Sequence, residues 1–205
     1  MAHIAIIDYG LGNLRSVEKA FTHVGVQAFV SSDETLLWEA DALVLPGVGA
    51  FGACMKALAA RGFDKLVRER ARLGTPMLGL CVGMQMLFEE SDEFGKNEGL
   101  GLLVGGVRRF SEDLILPQVG WNQVQQRRVH PLFEGIEDNT FFYFVHSYYC
   151  EPKDTENVIG VTEYGTTYAS VVAQNHVCGA QFHPEKSQTA GLRLLSNFSR
   201  LAQRC

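Results

Sequence analysis

The chain has 205 residues, a formal net charge of −5, 46% hydrophobic and 20% charged residues, which is enough for one packed domain and too ordinary a balance for a disordered chain. An acidic balance without any Lys/Arg run excludes a general nucleic-acid binder, and no apolar run reaches the ~20 residues a membrane span needs. The opening Met1-Ala2-His3-Ile4 lacks the basic segment and long apolar core of a signal peptide, so a cytoplasmic protein is expected.

The first predicted element is a short buried strand, His3 to Asp8, followed by Gly10-Leu11-Gly12-Asn13. Apolar residues at Leu14, Val17, Phe21 and Val24 then have the spacing of an amphipathic helix. Strands are expected at Gln27 to Val30 and Ala42 to Leu45, the latter ended by Pro46-Gly47-Val48-Gly49. Helices follow from about Ala50 to Ala60 and Asp64 to Leu73. Pro76 to Leu80 is an apolar strand running into Cys81, with a helix-like run behind it. Alternating strands and helices mean βαβ units: an α/β protein with an open, largely parallel twisted sheet flanked by helices. From Val104 to about Gln181 the chain turns β-branched and aromatic. Strands are expected at Val119 to Gln125, Thr140 to Tyr148, Val158 to Tyr164, Tyr168 to Gln174 and Cys178 to Phe182, before a last helix from Ala190 to Leu201. These predict an antiparallel β extension within a single domain spanning 1–205, since no linker or repeat divides the chain.

Cysteines 54, 81, 150, 178 and 205 are odd in number, scattered and without a C-x-x-C pair, as reduced thiols would be. Only Cys81 has a reactive context. It sits in Gly79-Leu80-Cys81-Val82-Gly83, at a strand-to-helix turn too tight for side chains at the flanking positions. A helix start there favours the thiolate. The base is expected at His183, in Gln181-Phe182-His183-Pro184-Glu185-Lys186. An extended i, i+2 arrangement would put His183 and Glu185 on one side, so that Glu185 sets the tautomer. Pro46-Gly47-Val48-Gly49 ends a strand where open α/β sheets place ligands. It reads either as a glycine-rich turn or as an oxyanion hole in which the Val48 and Val82 amides face the developing charge, and both can hold. Gly10-Leu11-Gly12 lacks the third glycine of a dinucleotide fingerprint, because Arg15 stands there. His176, Cys178 and His183 match no common zinc spacing, so neither a metal nor a cofactor is expected.

Together these pieces resemble the class I (triad) glutamine amidotransferases, with their G-x-C-x-G elbow and late H-P-E, and the resemblance spans essentially the whole chain. It implies the family's flavodoxin-like fold and a Cys81-His183-Glu185 triad that hydrolyses glutamine through a Cys81 thioester. It also implies a glutamine pocket of Gly49, Gln85, His146, Ser147 and Tyr148. Finer motifs add Asp8-Tyr9-Gly10-Leu11-Gly12-Asn13-Leu14, Gly120-Trp121-Asn122 and Phe144-Val145-His146-Ser147-Tyr148-Tyr149. They resemble the branch of the family that serves histidine biosynthesis. That likeness implies a heterodimer with a HisF-type cyclase, a (β/α)8 barrel, which uses the ammonia to convert PRFAR to imidazole glycerol phosphate and AICAR. Asn13, Trp121, Asn122, Tyr143 and Lys186 would lie near this partner. Val82 stands where the family commonly has leucine; its backbone amide is what the chemistry needs. The rivals are a sister amidotransferase of anthranilate, GMP or pyridoxal phosphate synthesis, a cysteine peptidase on a similar scaffold, and a non-catalytic subunit with Cys81 merely buried.

Overall fold

The structure, a computed structural model, describes residues 3–203; Met1, Ala2 and Cys205, three positions used in the sequence reading, lie outside them. In chain order the first elements are β1 (Ile4–Ile7), α1 (Leu14–His23), β2 (Ala28–Ser31), α2 (Glu34–Glu39), β3 (Ala42–Gly47), α3 (Phe51–Ala60), α4 (Phe63–Arg72), β4 (Met77–Cys81) and α5 (Val82–Met86). Then come β5 (Phe88–Ser91), β6 (Asn97–Glu98), β7 (Leu103–Arg109), β8 (Gln118–Gln126), β9 (Thr140–His146) and β10 (Tyr148–Pro152). The chain ends with β11 (Val158–Glu163), β12 (Thr167–Gln174), β13 (Val177–Ala180) and α6 (Gln188–Ala202).

The main path of the sheet runs β2-β1-β3-β4-β13-β12-β10-β7-β5-β6. From β2 to β13 every pair is parallel, and β12 then turns the sheet antiparallel. β8 and β9 hang from it through β11, which pairs with both β12 and β8. Strands β1, β3, β4 and β13 are buried at every position, as expected of strands covered on both faces. On one face Val17 and Phe21 of α1 and Leu194, Leu195 and Phe198 of α6 pack against Ile4, Ile6, Val44 and Leu78. On the other, Leu37, Phe51, Leu58, Phe63 and Leu66 from α2, α3 and α4 cover Ala5, Ile7, Leu43 and Leu45. Each fully buried Leu or Phe contributes roughly 1.5–3 kcal/mol. The open α/β sheet flanked by helices, with an antiparallel β extension, that the sequence leads one to expect is thus found.

Three local expectations are corrected. The helix behind Cys81 stops after five residues at Met86, and Phe88 already begins a strand. The 99–103 loop ends it, because Leu100 N–H donates to the Met86 carbonyl at 2.8 Å and Gly101 N–H to Phe88 at 3.0 Å. The stretch 140–148 is two strands separated at Ser147, since β9 pairs with β8 whereas β10 pairs with β7. His183 and Glu185 are not on one extended strand: Pro184–Lys186 is a single 3-10 turn.

Candidate active site

β3, β4 and β13 are adjacent and parallel, so Gly47, Cys81 and the chain leading to His183 all emerge at the carboxyl edge of the sheet. Cys81 ends β4 with φ 54° and ψ −114°, a left-handed backbone that a side chain rarely adopts. Such strain persists only where neighbours over-determine it. The glycines of the elbow supply that constraint through close approach. A Cβ on Gly79 would lie 2.7 Å from the Gly83 carbonyl oxygen, and one on Gly83 would collide with the Leu45 carbonyl. The helix start is thereby pressed onto the sheet, and the thiol is held at the rim.

His183 is brought to Cys81 by β13 and by its N–H, which donates to the Tyr143 carbonyl at 2.9 Å. Its Nδ1 lies 2.8 Å from Glu185 Oε1, and the two side chains are 6% and 1% exposed. Burial alone would push the His183 pKa down. Hydrogen bonds to Cys81 and Glu185, and the charges of both, outweigh that and raise it to about 10. The cation is therefore the favoured state of this imidazole. The other oxygen, Glu185 Oε2, is buried with no hydrogen-bond partner among the described residues. Glu185 lines a cavity of about 10 Å³ with Asn13, Gly47 and Val48, no larger than one water needs.

Cys81 and His183 open onto a much larger cavity, about 630 Å³, lined also by Val48, Gly49, Val82, Gln85, His146, Ser147 and Tyr148. All the residues expected at the oxyanion and glutamine positions thus meet in one place. Gln85 is held by two bonds from its amide nitrogen, to the Tyr148 carbonyl and to Gln181 Oε1, both 3.1 Å. His146 Nδ1 lies 2.8 Å from the same Tyr148 carbonyl, and Nε2 lies 3.2 Å from the Tyr168 hydroxyl. Since a carbonyl only accepts, Nδ1 carries the proton. Burial drives the His146 pKa down to about 4, so this ring is neutral.

Several residues at the site were not singled out from the sequence. Glu93, Phe94 and Arg109 line the large cavity and place a carboxylate and a guanidinium at its wall. Gln181 is fully buried and its amide nitrogen donates to Cys81 Sγ at 3.8 Å. Gln181 stands two residues before His183 in a segment already marked, so its position could have been noted; Glu93 and Arg109 carry no local signal. Among the described residues no group of three or more His, Cys, Asp or Glu is arranged to hold a metal ion.

The positions expected near a partner divide. Trp121 and Tyr143 are cross-strand neighbours on one face of β8 and β9, with ring centroids 6.1 Å apart, and Lys186 Nζ lies 5.6 Å from the Tyr143 ring. Val119 (60% exposed) and Phe141 (53%) extend this face. Asn122 points the other way, donating to the Glu163 carbonyl at 2.9 Å. Asn13 sits at the start of α1, beside Glu185 at the small cavity.

The family model for class I glutamine amidotransferases matches residues 5–201. The chain is 51% identical over 201 residues to the imidazole glycerol phosphate synthase subunit HisH of Symbiobacterium thermophilum, covering 98% of this chain and 95% of that one. It is 48% identical to the HisH subunit of Syntrophotalea carbinolica, covering 95% and 98%. Among solved structures, one described as a glutamine amidotransferase aligns with TM-score 0.75 at 24% identity over 97% of this chain and 98% of that one. The PurLQS structure from Thermotoga maritima aligns at 0.77 and 19%, over 98% and 99%. The chain belongs to the class I glutamine amidotransferase family.

Proposed function

We propose that this amidotransferase is the glutaminase subunit of an imidazole glycerol phosphate synthase, acting in histidine biosynthesis as one cytoplasmic domain. The observation that carries the chemistry is the buried His183–Glu185 pair set against a strained cysteine at the mouth of a cavity. The full-length likeness to HisH subunits supports the choice of pathway. The Cys81 thiolate attacks the side-chain amide carbon of glutamine. The tetrahedral oxyanion is held by the Val48 and Val82 N–H groups; the latter is in the first turn of α5 and has no acceptor within the helix. His183 gives its proton to departing ammonia, leaving a thioester, then takes one from the water that releases glutamate. Glu185 holds the imidazole and its charge. Gly49, Gln85, His146, Ser147 and Tyr148 shape the pocket, while Glu93 and Arg109 suit the ammonium and carboxylate of a free amino acid better than a peptide.

The partner in this reading is a HisF-type (β/α)8 cyclase. Its docking surface is the ladder of exposed Trp121, Val119 and Phe141 and half-buried Tyr143, with Lys186 and Asn13 beside it. Apolar aromatic anchors of this kind dominate protein interfaces. Released ammonia would pass from His183 toward that side of the molecule.

The test is glutamate release from glutamine by the chain alone and with a candidate cyclase plus a PRFAR analogue, with Cys81→Ala as control. Strong stimulation that vanishes in the variant is expected. Equal turnover with and without the cyclase, or cleavage of peptides with no action on glutamine, would overturn the assignment.

A further inference from the structure

Two buried side chains that the chemistry above leaves idle converge on the segment carrying the Val48 amide. Tyr9, just past β1, is 2% exposed, and its hydroxyl donates to the Pro46 carbonyl at 2.7 Å. Cys54, in the first turn of α3 and 0% exposed, donates from its thiol to the Val48 carbonyl at 3.4 Å. Burial pushes both groups toward their protonated forms, so both remain donors. The Tyr9 hydroxyl lies 4.0 Å from Met86 Sδ at the end of α5, and so touches both segments that bear the oxyanion donors.

Those bonds fix particular peptides. The Pro46 carbonyl belongs to the peptide before Gly47, and the Val48 carbonyl to the peptide after Val48. Between them lies the Gly47–Val48 peptide, whose N–H is the donor. Glycine is obligatory at 47, because a Cβ there would lie 2.7 Å from Gly83 N and 2.9 Å from Val82 Cβ. It is required at 49 by a φ of +91°. The segment is therefore soft on both sides of Val48. An oxyanion donor works only if it is held in place before the charge appears.

We propose that Tyr9 and Cys54 are positioning residues for the glutaminase reaction: by gripping the carbonyls on either side of the Gly47–Val48 peptide, they hold the Val48 N–H against Cys81. Neither touches the substrate. The inference rests on the glutaminase reading and on Val48 as a donor.

The experiment compares glutamine turnover by the parent chain, Tyr9→Phe, Cys54→Ala, Cys54→Ser and the double variant Tyr9→Phe/Cys54→Ala, each with the cyclase and a PRFAR analogue. Alkylation of Cys81 by iodoacetamide, read by peptide mass, passes through no oxyanion. It counts intact sites and normalises kcat to them. Losing a whole oxyanion donor costs about 10²–10³ in kcat, so a misplaced one should cost less: about 10-fold for Tyr9→Phe and about 5-fold for Cys54→Ala. KM and the Cys81 alkylation rate should stay within about twofold, and Cys54→Ser, which keeps a hydroxyl donor, should approach the parent. Unchanged kcat in the double variant, a loss matched by slower alkylation, or serine as impaired as alanine would overturn the inference alone. A parent chain that never hydrolyses glutamine would overturn the proposed function and this inference with it.

Discussion

Two histidines wall the same cavity, both nearly buried, and their environments drive them in opposite directions. His183 has an acid at Nδ1 and a thiol at its other side, and its pKa rises to about 10. His146 has a backbone carbonyl and a phenol, both neutral, and burial takes its pKa down to about 4. The contrast separates two uses of burial. Desolvation disfavours charge at both rings, and only a buried partner of opposite charge reverses it. One ring is thereby equipped to carry protons and the other to be a fixed neutral wall.

The largest expected effect tests that division directly. His183→Ala should lower kcat by about 10³-fold or more, whereas His146→Asn should act mainly on KM; equal losses in kcat would erase the distinction. Next is Glu185→Gln, which removes the buried charge but keeps the shape. It should cost about 10²-fold in kcat and lower the His183 titration point in an imidazole NMR titration while leaving His146 in place. At the cavity wall, Glu93→Gln should raise KM for glutamine by about 10-fold with little change in kcat, if the carboxylate receives the ammonium.

The smallest effects are on stability and have opposite pH signs. For His146 the folded pKa lies below the unfolded 6.5, so its contribution is present above 6.5 and is lost as pH falls toward 4. For His183 the folded value lies above 6.5, so its contribution is full below 6.5 and is lost as pH rises through about 10. Urea unfolding midpoints should show the acid loss, on the order of 2–3 kcal/mol, shrinking in His146→Asn, and the alkaline loss shrinking in Glu185→Gln.

The half of the molecule built from βαβ units was legible because its signals are local. The helix over 14–23 shows its face through Val17 and Phe21, and both are buried against the sheet. The short α2 escaped notice, since six residues give too little periodicity; its signal was Asp33, which caps the Thr35 N–H at 2.8 Å. Strands β5 and β7 were missed for another reason. Phe88–Ser91 is polar at its middle, and Leu103–Arg109 contains Gly105 and Gly106, so partners elsewhere in the sheet decide their conformation. At the site, the cysteine, histidine and acid were legible from glycine and proline punctuation. Glu93, Arg109 and the Asn122 orientation were not, because they depend on which loop and which strand face the fold happens to bring near.

The order of the strands also sets a timetable. β13 lies between β4 and β12, and Gln181, which touches Cys81, comes 100 residues after it. A chain emerging from the ribosome can form the Cys81 turn while His183 and Glu185 are still unmade. Until β13 arrives, such a fragment has the Cys81 thiol without its His183 neighbour and a bare β4 edge open to wrong pairing. Nascent chains are thus structurally vulnerable, and the complete cavity wall closes as one of the last events of biogenesis.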